Sequence, residues 1–390
     1  MTKLFLVLLS LNLVFASESV QNFKNGNKVF SADVYKEIAK NEKDDFIVSP
    51  FSAQTILALA QNGAKGETAT EIRSSLRLPS SRRQINAVFK SLLQKLRKTE
   101  GCTFQTANKI YIKDKYPIKP GFNATATEIF HSSTENIDFA QNTIAAEKIN
   151  NWVSERTNNT IKDLIEPQKL NQDTIAVLIN ALYFSGAWKK PFKATQTQKR
   201  AFKTPTDELE VDMMRKSDFL GYLESGKLDA TFLQMPFRGG KDAQMVLVLP
   251  NEKGGITDLE AQLEQVYRTR NFTQEYVEVT IPKFKIETSV DFKGVLKSLG
   301  VKKAFRKADF SDLAGEKGEI RITDVLQKAF IGVDEDGVVA SAATAVIFHP
   351  KSLMQGMGSK KTFTADHPFL FYIKINGVVI FTGRVVSPEV

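Results

Sequence analysis

The chain has 390 residues, 42% of them hydrophobic and 25% charged, with a formal net charge of +9. A chain of this length buries a core without covalent staples, and its single cysteine, Cys102, excludes an internal disulfide framework. The basic balance admits nucleic acid, a sulfated polysaccharide or an acidic protein face as partner.

Residues 1–16 read as a secretory signal peptide. Lys3 precedes an apolar run over 4–14, broken only by Ser10 and Asn12, and Ala16-Ser17 forms a small-residue exit. That run is too short to cross a bilayer, and no other segment approaches about 18 uninterrupted apolar residues. The chain is therefore expected to be secreted, which argues against nucleic acid as partner. Residues 17–390 should form one domain, because no low-complexity linker or internal repeat divides them. Sequons at Asn123, Asn158 and Asn271 are the glycan candidates on that route.

Helical spacing comes first along the chain. It covers 30–40, the apolar run that follows Ser49-Pro50-Phe51-Ser52, 68–76 after Gly66, and 82–98 with Ile85, Val88, Phe89, Leu92 and Leu96 on one face. The single cysteine, Cys102, reads as a small buried hydrophobe. Strand patterns follow at 104–112, 174–183, 245–249, 277–286, 328–333, 369–373 and 378–381, with helices at 143–156 and 289–299. Helices first and strands later, without regular alternation, predict an α+β fold with mixed sheets.

Catalytic chemistry is hard to build from these residues. Three histidines (His131, His349, His367) and one cysteine sit in no metal or nucleophile motif, and there is no phosphate loop, H-E-x-x-H or G-x-S-x-G. Asp334-Glu335-Asp336-Gly337 faintly resembles the start of a calcium loop, but Ala345 stands where its later glutamate belongs. No catalytic residue, metal ligand or required cofactor is expected.

Two stretches carry the functional signal. Residues 82–98 contain Arg82, Arg83, Lys90, Lys95, Arg97 and Lys98 and no acidic residue; Arg83, Lys90 and Arg97 recur every seven positions and share one side of a helix. The bland reading is a solvated basic face, and the sharper one is a polyanion site. Residues 335–368 open with the acidic turn Glu335-Asp336-Gly337 and continue as a small-residue tract through Ala345. They then present Pro350-Lys351-Ser352 and a Gly/Met/Ser/Lys-rich tail that ends at Asp366-His367-Pro368. Small residues without proline can enter a crowded sheet as a strand. A Lys-Ser bond in an exposed loop suits a trypsin-like protease.

A set of ordered segments then resembles one family over the full mature length. It includes Phe46-Ile47-Val48-Ser49-Pro50-Phe51-Ser52, Asn180-Ala181-Leu182-Tyr183-Phe184-Ser185-Gly186-Ala187-Trp188, Ile281-Pro282-Lys283-Phe284, Asp366-His367-Pro368-Phe369 and Phe381-Thr382-Gly383-Arg384. The chain resembles a serpin, of the kind found in invertebrate extracellular fluids. The resemblance implies three β-sheets, eight or nine helices and a reactive loop at about 335–363. It also implies a monomer that traps a serine protease by inserting that loop into the main sheet after cleavage.

Counting from the hinge glutamate Glu335, the family pattern places the scissile bond at Lys351-Ser352. Met354 and Lys360 are the alternatives, because the segment 351–368 is longer than in many relatives. Glu335, Gly337, Val338, Ala340, Ala342 and Thr344 form the implied hinge. Val338 and Val339 depart from the pattern, and Val338 is expected to point inward and favour partial insertion before cleavage. The helix over 82–98 matches one that binds heparin in several relatives, so a heparin-like sulfated polysaccharide is the expected activator. Ser49, Ser52, Asn180, Trp188, Lys283 and Gln327 fall at positions that control opening of the main sheet; the histidine common in relatives is Gln327 here, and Glu335 is expected to pair with Lys283. By analogy the chain restrains an extracellular immune or clotting-like protease cascade. The alternative is a non-inhibitory member serving as carrier or structural protein.

Overall fold

A computed structural model of the chain describes residues 2–238, 242–338 and 360–389. The helices in chain order are α1 (Thr2–Ala39), α2 (Pro50–Gly63), α3 (Gly66–Ser75), α4 (Arg82–Arg97), α5 (Pro120–Glu128), α6 (Asn142–Arg156), α7 (Ile256–Ala261), α8 (Leu263–Arg268) and α9 (Phe292–Ser298). The first strands are β1 (Phe46–Val48), β2 (Cys102–Lys113), β3 (Ser133–Ile137), β4 (Ala176–Ala187), β5 (Gln198–Lys203), β6 (Glu208–Ser225), β7 (Ala230–Pro236) and β8 (Ala243–Pro250). They are followed by β9 (Thr273–Pro282), β10 (Phe284–Asp291), β11 (Ile322–Val333), β12 (Gly337–Val338), β13 (Lys361–Thr364), β14 (Phe369–Ile375) and β15 (Val378–Val385).

The strands hydrogen-bond into a six-stranded sheet, ordered β10-β11-β12-β4-β2-β3, and a nine-stranded one, ordered β1-β15-β14-β8-β7-β6-β9-β13 with β5 on β6. The second is really two sections joined along β6. That 18-residue strand pairs with β5 near its start, with β9 over Met213–Tyr222 and with β7 at its end. The three implied sheets are thus one separate sheet and two that run into each other.

Between the sheets lies α2, which packs against β15 on one side and β4 on the other. Almost every one of its residues is buried, as its uninterrupted apolar run requires. Ser49 caps it, its Oγ accepting the Ser52 N–H at 3.3 Å, and Pro50 supplies the fixed φ of the first turn.

Two predicted elements need correction. The strand expected at 277–286 is two strands in different sheets, because Pro282 has no N–H to continue the ladder and Lys283 instead donates its N–H to the Asp212 carbonyl at 2.8 Å. The helix expected at 289–299 begins only at Phe292. Ser289, Val290 and Asp291 extend β10 along Lys328, Gln327 and Leu326, and Asp291 caps the helix by accepting the Lys293 N–H at 2.9 Å. The unanticipated β6 has charges at Glu208, Glu210, Asp212, Arg215, Lys216 and Asp218, so no apolar run announces it.

Candidate functional site

The six-stranded sheet has a partly filled slot. Along its lower part β4 and β11 lie side by side and parallel, from Ala176 opposite Ile322 to Leu182 opposite Ala329. Above that they separate, and β12 wedges between them, antiparallel to both. Val338 sits opposite Val333 on one side and Gly186 on the other, fully buried. The approach is so close that a Cβ on Gly337 would lie 2.2 Å from the Gly186 carbonyl oxygen, which leaves room for glycine alone.

The turn that delivers β12 is held by many bonds. Asp334 Oδ1 accepts the N–H groups of Asp336 at 2.9 Å and Gly337 at 3.0 Å, and the Asp334 N–H reaches the Gly337 carbonyl at 2.9 Å. Trp188, buried and stacked on Phe237 at 5.1 Å, donates its indole N–H to the Asp334 carbonyl at 3.0 Å and its backbone N–H to Asp336 at 2.9 Å. Phe192 donates to the Glu335 carbonyl at 2.9 Å. Glu335 Oε2 pairs with Lys283 Nζ at 3.0 Å while its Oε1 accepts from Thr197 Oγ1 at 2.7 Å. Burial alone would raise the Glu335 carboxyl, but the bonds from Thr197 and Lys283 outweigh it and hold the pKa below the usual range. Thr197 had no local sequence signal. Ala340, Ala342, Thr344, Lys351 and Ser352 lie outside the described residues.

Lower down, a row of buried amides crosses the strands. Asn108 on β2 is opposite Asn180 on β4, which is opposite Gln327 on β11. Gln327 accepts the Ser49 N–H at 2.8 Å and donates to the Ser49 carbonyl at 3.0 Å and to Asn180. Asn180 donates to Ser52 and to Asn108, and Ser49 Oγ donates to the Ile380 carbonyl at 2.7 Å. The row therefore ties β4 and β11 to the start of α2, so separating the two strands breaks a side-chain network as well as a ladder. Asn108 was not singled out from sequence, although a lone amide among Ala107, Ile110 and Ile112 was the available signal. Its Nδ2 has no partner among the described residues.

The five basic residues of α4 and its C-cap Lys98 divide. Arg82 is committed to the fold, donating to Asp312 Oδ2 at 2.8 Å and to the Ala64 carbonyl, and is only partly exposed. Arg83, Lys90, Lys95, Arg97 and Lys98 are exposed. The pKa of Lys24 falls chiefly through burial and secondarily through the charge of Lys95. Arg97 reaches a pocket of about 500 Å³ together with Cys102, His131 and Arg156. Burial first, then Arg97 and Lys90, lower the pKa of His131. Cys102 is half-buried rather than enclosed, and burial pushes its thiol up to about 12. Asn123, Asn158 and Asn271 are all exposed. Among the described residues no cluster of three or more His, Cys, Asp or Glu could hold a metal, and no helix is long and apolar enough to cross a membrane.

Comparison with known proteins places this geometry in context. The family model described as Serpin (serine protease inhibitor) matches residues 25–388. Antichymotrypsin-2 of Bombyx mori is 37% identical over 370 residues, covering 92% of this chain and 96% of its own. Antitrypsin of the same species is 36% identical, covering 92% and 93%. The crystal structure of Serpin48 of the insect Tenebrio molitor superposes with a TM-score of 0.89 at 43% identity, covering 95% of this chain and 99% of that one.

Proposed function

Because the chain belongs to the serpin family of serine protease inhibitors, we propose that it is a suicide-type inhibitor of trypsin-like serine proteases cleaved at Lys351-Ser352. The observation that carries this reading is the slot between β4 and β11, already entered by Gly337 and Val338. The protease serine attacks the Lys351 carbonyl and the Lys351-Ser352 bond breaks. The freed loop then continues the antiparallel register that starts at Val338 opposite Gly186, which brings Phe348 opposite Ala176 at the foot of β4. Residues on the inward face of that strand are Val338, Ala340, Ala342 and Thr344, small enough for a packed interior. The acylated protease travels with Lys351.

The two silkworm relatives are named for chymotrypsin and for trypsin, so the choice of target class rests on Lys351, whose cation fits an acidic specificity pocket. Secretion, glycans at the three exposed sequons, a heparin-like activator on α4 and work in an extracellular proteolytic cascade belong to the same proposal.

Incubation with trypsin tests it. The expected result is an SDS-stable complex and a released fragment beginning at Ser352, both lost in Lys351→Ala. A fragment beginning after Met354 or Lys360 moves the bond. Clean cleavage without a complex assigns the chain to the non-inhibitory members.

A further inference from the structure

A second basic feature lies far along the chain from α4. The end of α9, the turn at Lys303–Phe305 and the loop running up to β11 enclose a concave pocket of about 990 Å³. Lys293 and Lys297 enter it from α9, Lys302, Arg306 and Lys307 from around the turn, and Lys317 and Arg321 from the loop, with the Phe305 ring among them. No aspartate or glutamate lines it. Lys293 alone has an ion pair, with Asp324 at 3.9 Å; the other six cations have none among the described residues.

Nearby carboxylates are occupied elsewhere. Glu71 Oε2 accepts the backbone N–H groups of Lys302 at 2.8 Å and Lys303 at 2.6 Å, Glu67 pairs with Lys303 at 2.7 Å, and Asp312 is shared by Lys65 and Arg82. Six cations without an ion pair around one concavity repel each other and raise a positive potential that open solvent would otherwise dissipate, although Lys317 also feels the Glu67 and Asp309 carboxylates. Single surface charges are worth little at physiological salt, where the Debye length is about 8 Å, but several converging on one ligand act together. Arg306 adds the planar fork that fits phosphate or sulfate oxygens, while Arg321 already spends one Nη on the Asp173 carbonyl at 3.1 Å and offers the rest of its guanidinium.

We propose that this pocket binds a compact, multiply charged phosphate or sulfate ester. The site shares no residue with α4 and requires no protease, so it stands or falls apart from the inhibitory reading. Its place gives the ligand a consequence. Arg321 immediately precedes Ile322, the first β11 residue paired with β4. An occupant therefore holds the foot of the strand pair that loop insertion has to part.

Calorimetric titration of the full chain in 150 mM NaCl tests it with two probes, myo-inositol hexakisphosphate for phosphate esters and sucrose octasulfate for sulfate esters. The expected result is saturable binding of one probe at one molecule per chain. The triple variant Lys297→Gln, Arg306→Gln, Lys317→Gln should weaken it at least tenfold. Arg83→Gln, Lys90→Gln, Arg97→Gln should change it less than twofold. If the first triple variant melts early, Lys302→Gln with Lys307→Gln carries the same expectation. Binding of neither probe, or binding lost with the α4 variant and kept in the pocket variants, overturns the proposal. Which probe binds identifies the ester.

Discussion

Val338 fills a buried place in the sheet that a polar residue would not hold. Full burial of a valine side chain contributes about 1.5–3 kcal/mol, and tenfold in an equilibrium corresponds to about 1.4 kcal/mol. Val338→Glu should therefore withdraw the hinge, because a carboxylate cannot be buried unpaired between Val333 and Gly186. The second-order rate constant for trypsin inhibition, measured without polysaccharide, is expected to rise about tenfold. A rate within twofold of the parent would mean that insertion does not limit encounter. The inward orientation of Val338 was legible from alternation, and the Glu335–Lys283 pair from family position. The bond from Thr197 was not, since Thr197 and Glu335 are 138 residues apart and nothing local to either predicts the contact.

Within the six-stranded sheet, the buried row decides how strands part. Gln327 makes its bonds with a neutral amide and so has no charge to gain as pH falls. An imidazole there would be buried, which holds its pKa below the ordinary value of about 6.5. A depressed histidine stabilises the fold above its unfolded pKa, and that contribution is lost as pH falls toward the folded value. Gln327→His should thus lower the thermal midpoint several degrees more than the parent between pH 7.5 and 5.5. Equal pH dependence in the two proteins would show that the row tolerates a cation. Long apolar elements such as α2, β4 and β8 were readable because one periodicity covers each. By contrast, β6, α7 and α8 were not: β6 is a charged joint between sheet sections, and six-residue helices carry too few turns for a pattern.

For the whole molecule, two concentrations of positive charge stand out, one along α4 and one in the pocket beside β11. Removing Arg82 from the α4 set leaves Arg83, Lys90 and Arg97 on an exposed side. Heparin is expected to accelerate trypsin inhibition, with an enhancement that falls as salt rises from 50 to 300 mM. Arg83→Ala, Lys90→Ala, Arg97→Ala should abolish the acceleration and leave the basal rate unchanged; an undiminished effect would place the polysaccharide elsewhere. Composition admitted a polyanion as one of several partners. It could not foretell two separate concentrations, because the pocket beside β11 is assembled from residues spread between Lys293 and Arg321 with acidic ones interspersed.

The bond between Trp188 and the Asp334 carbonyl has one more consequence. The chain has two tryptophans, and the other, Trp152, lies on α6 beside Lys109. Withdrawal of the hinge is expected to loosen the turn that holds the Asp334 acceptor of the Trp188 indole and to open one edge of its stack on Phe237 to water, which the Trp188 emission maximum of Val338→Glu checks. The position of the loop is thereby written into the emission colour of an intrinsic fluorophore, and the protein carries its own optical gauge of readiness.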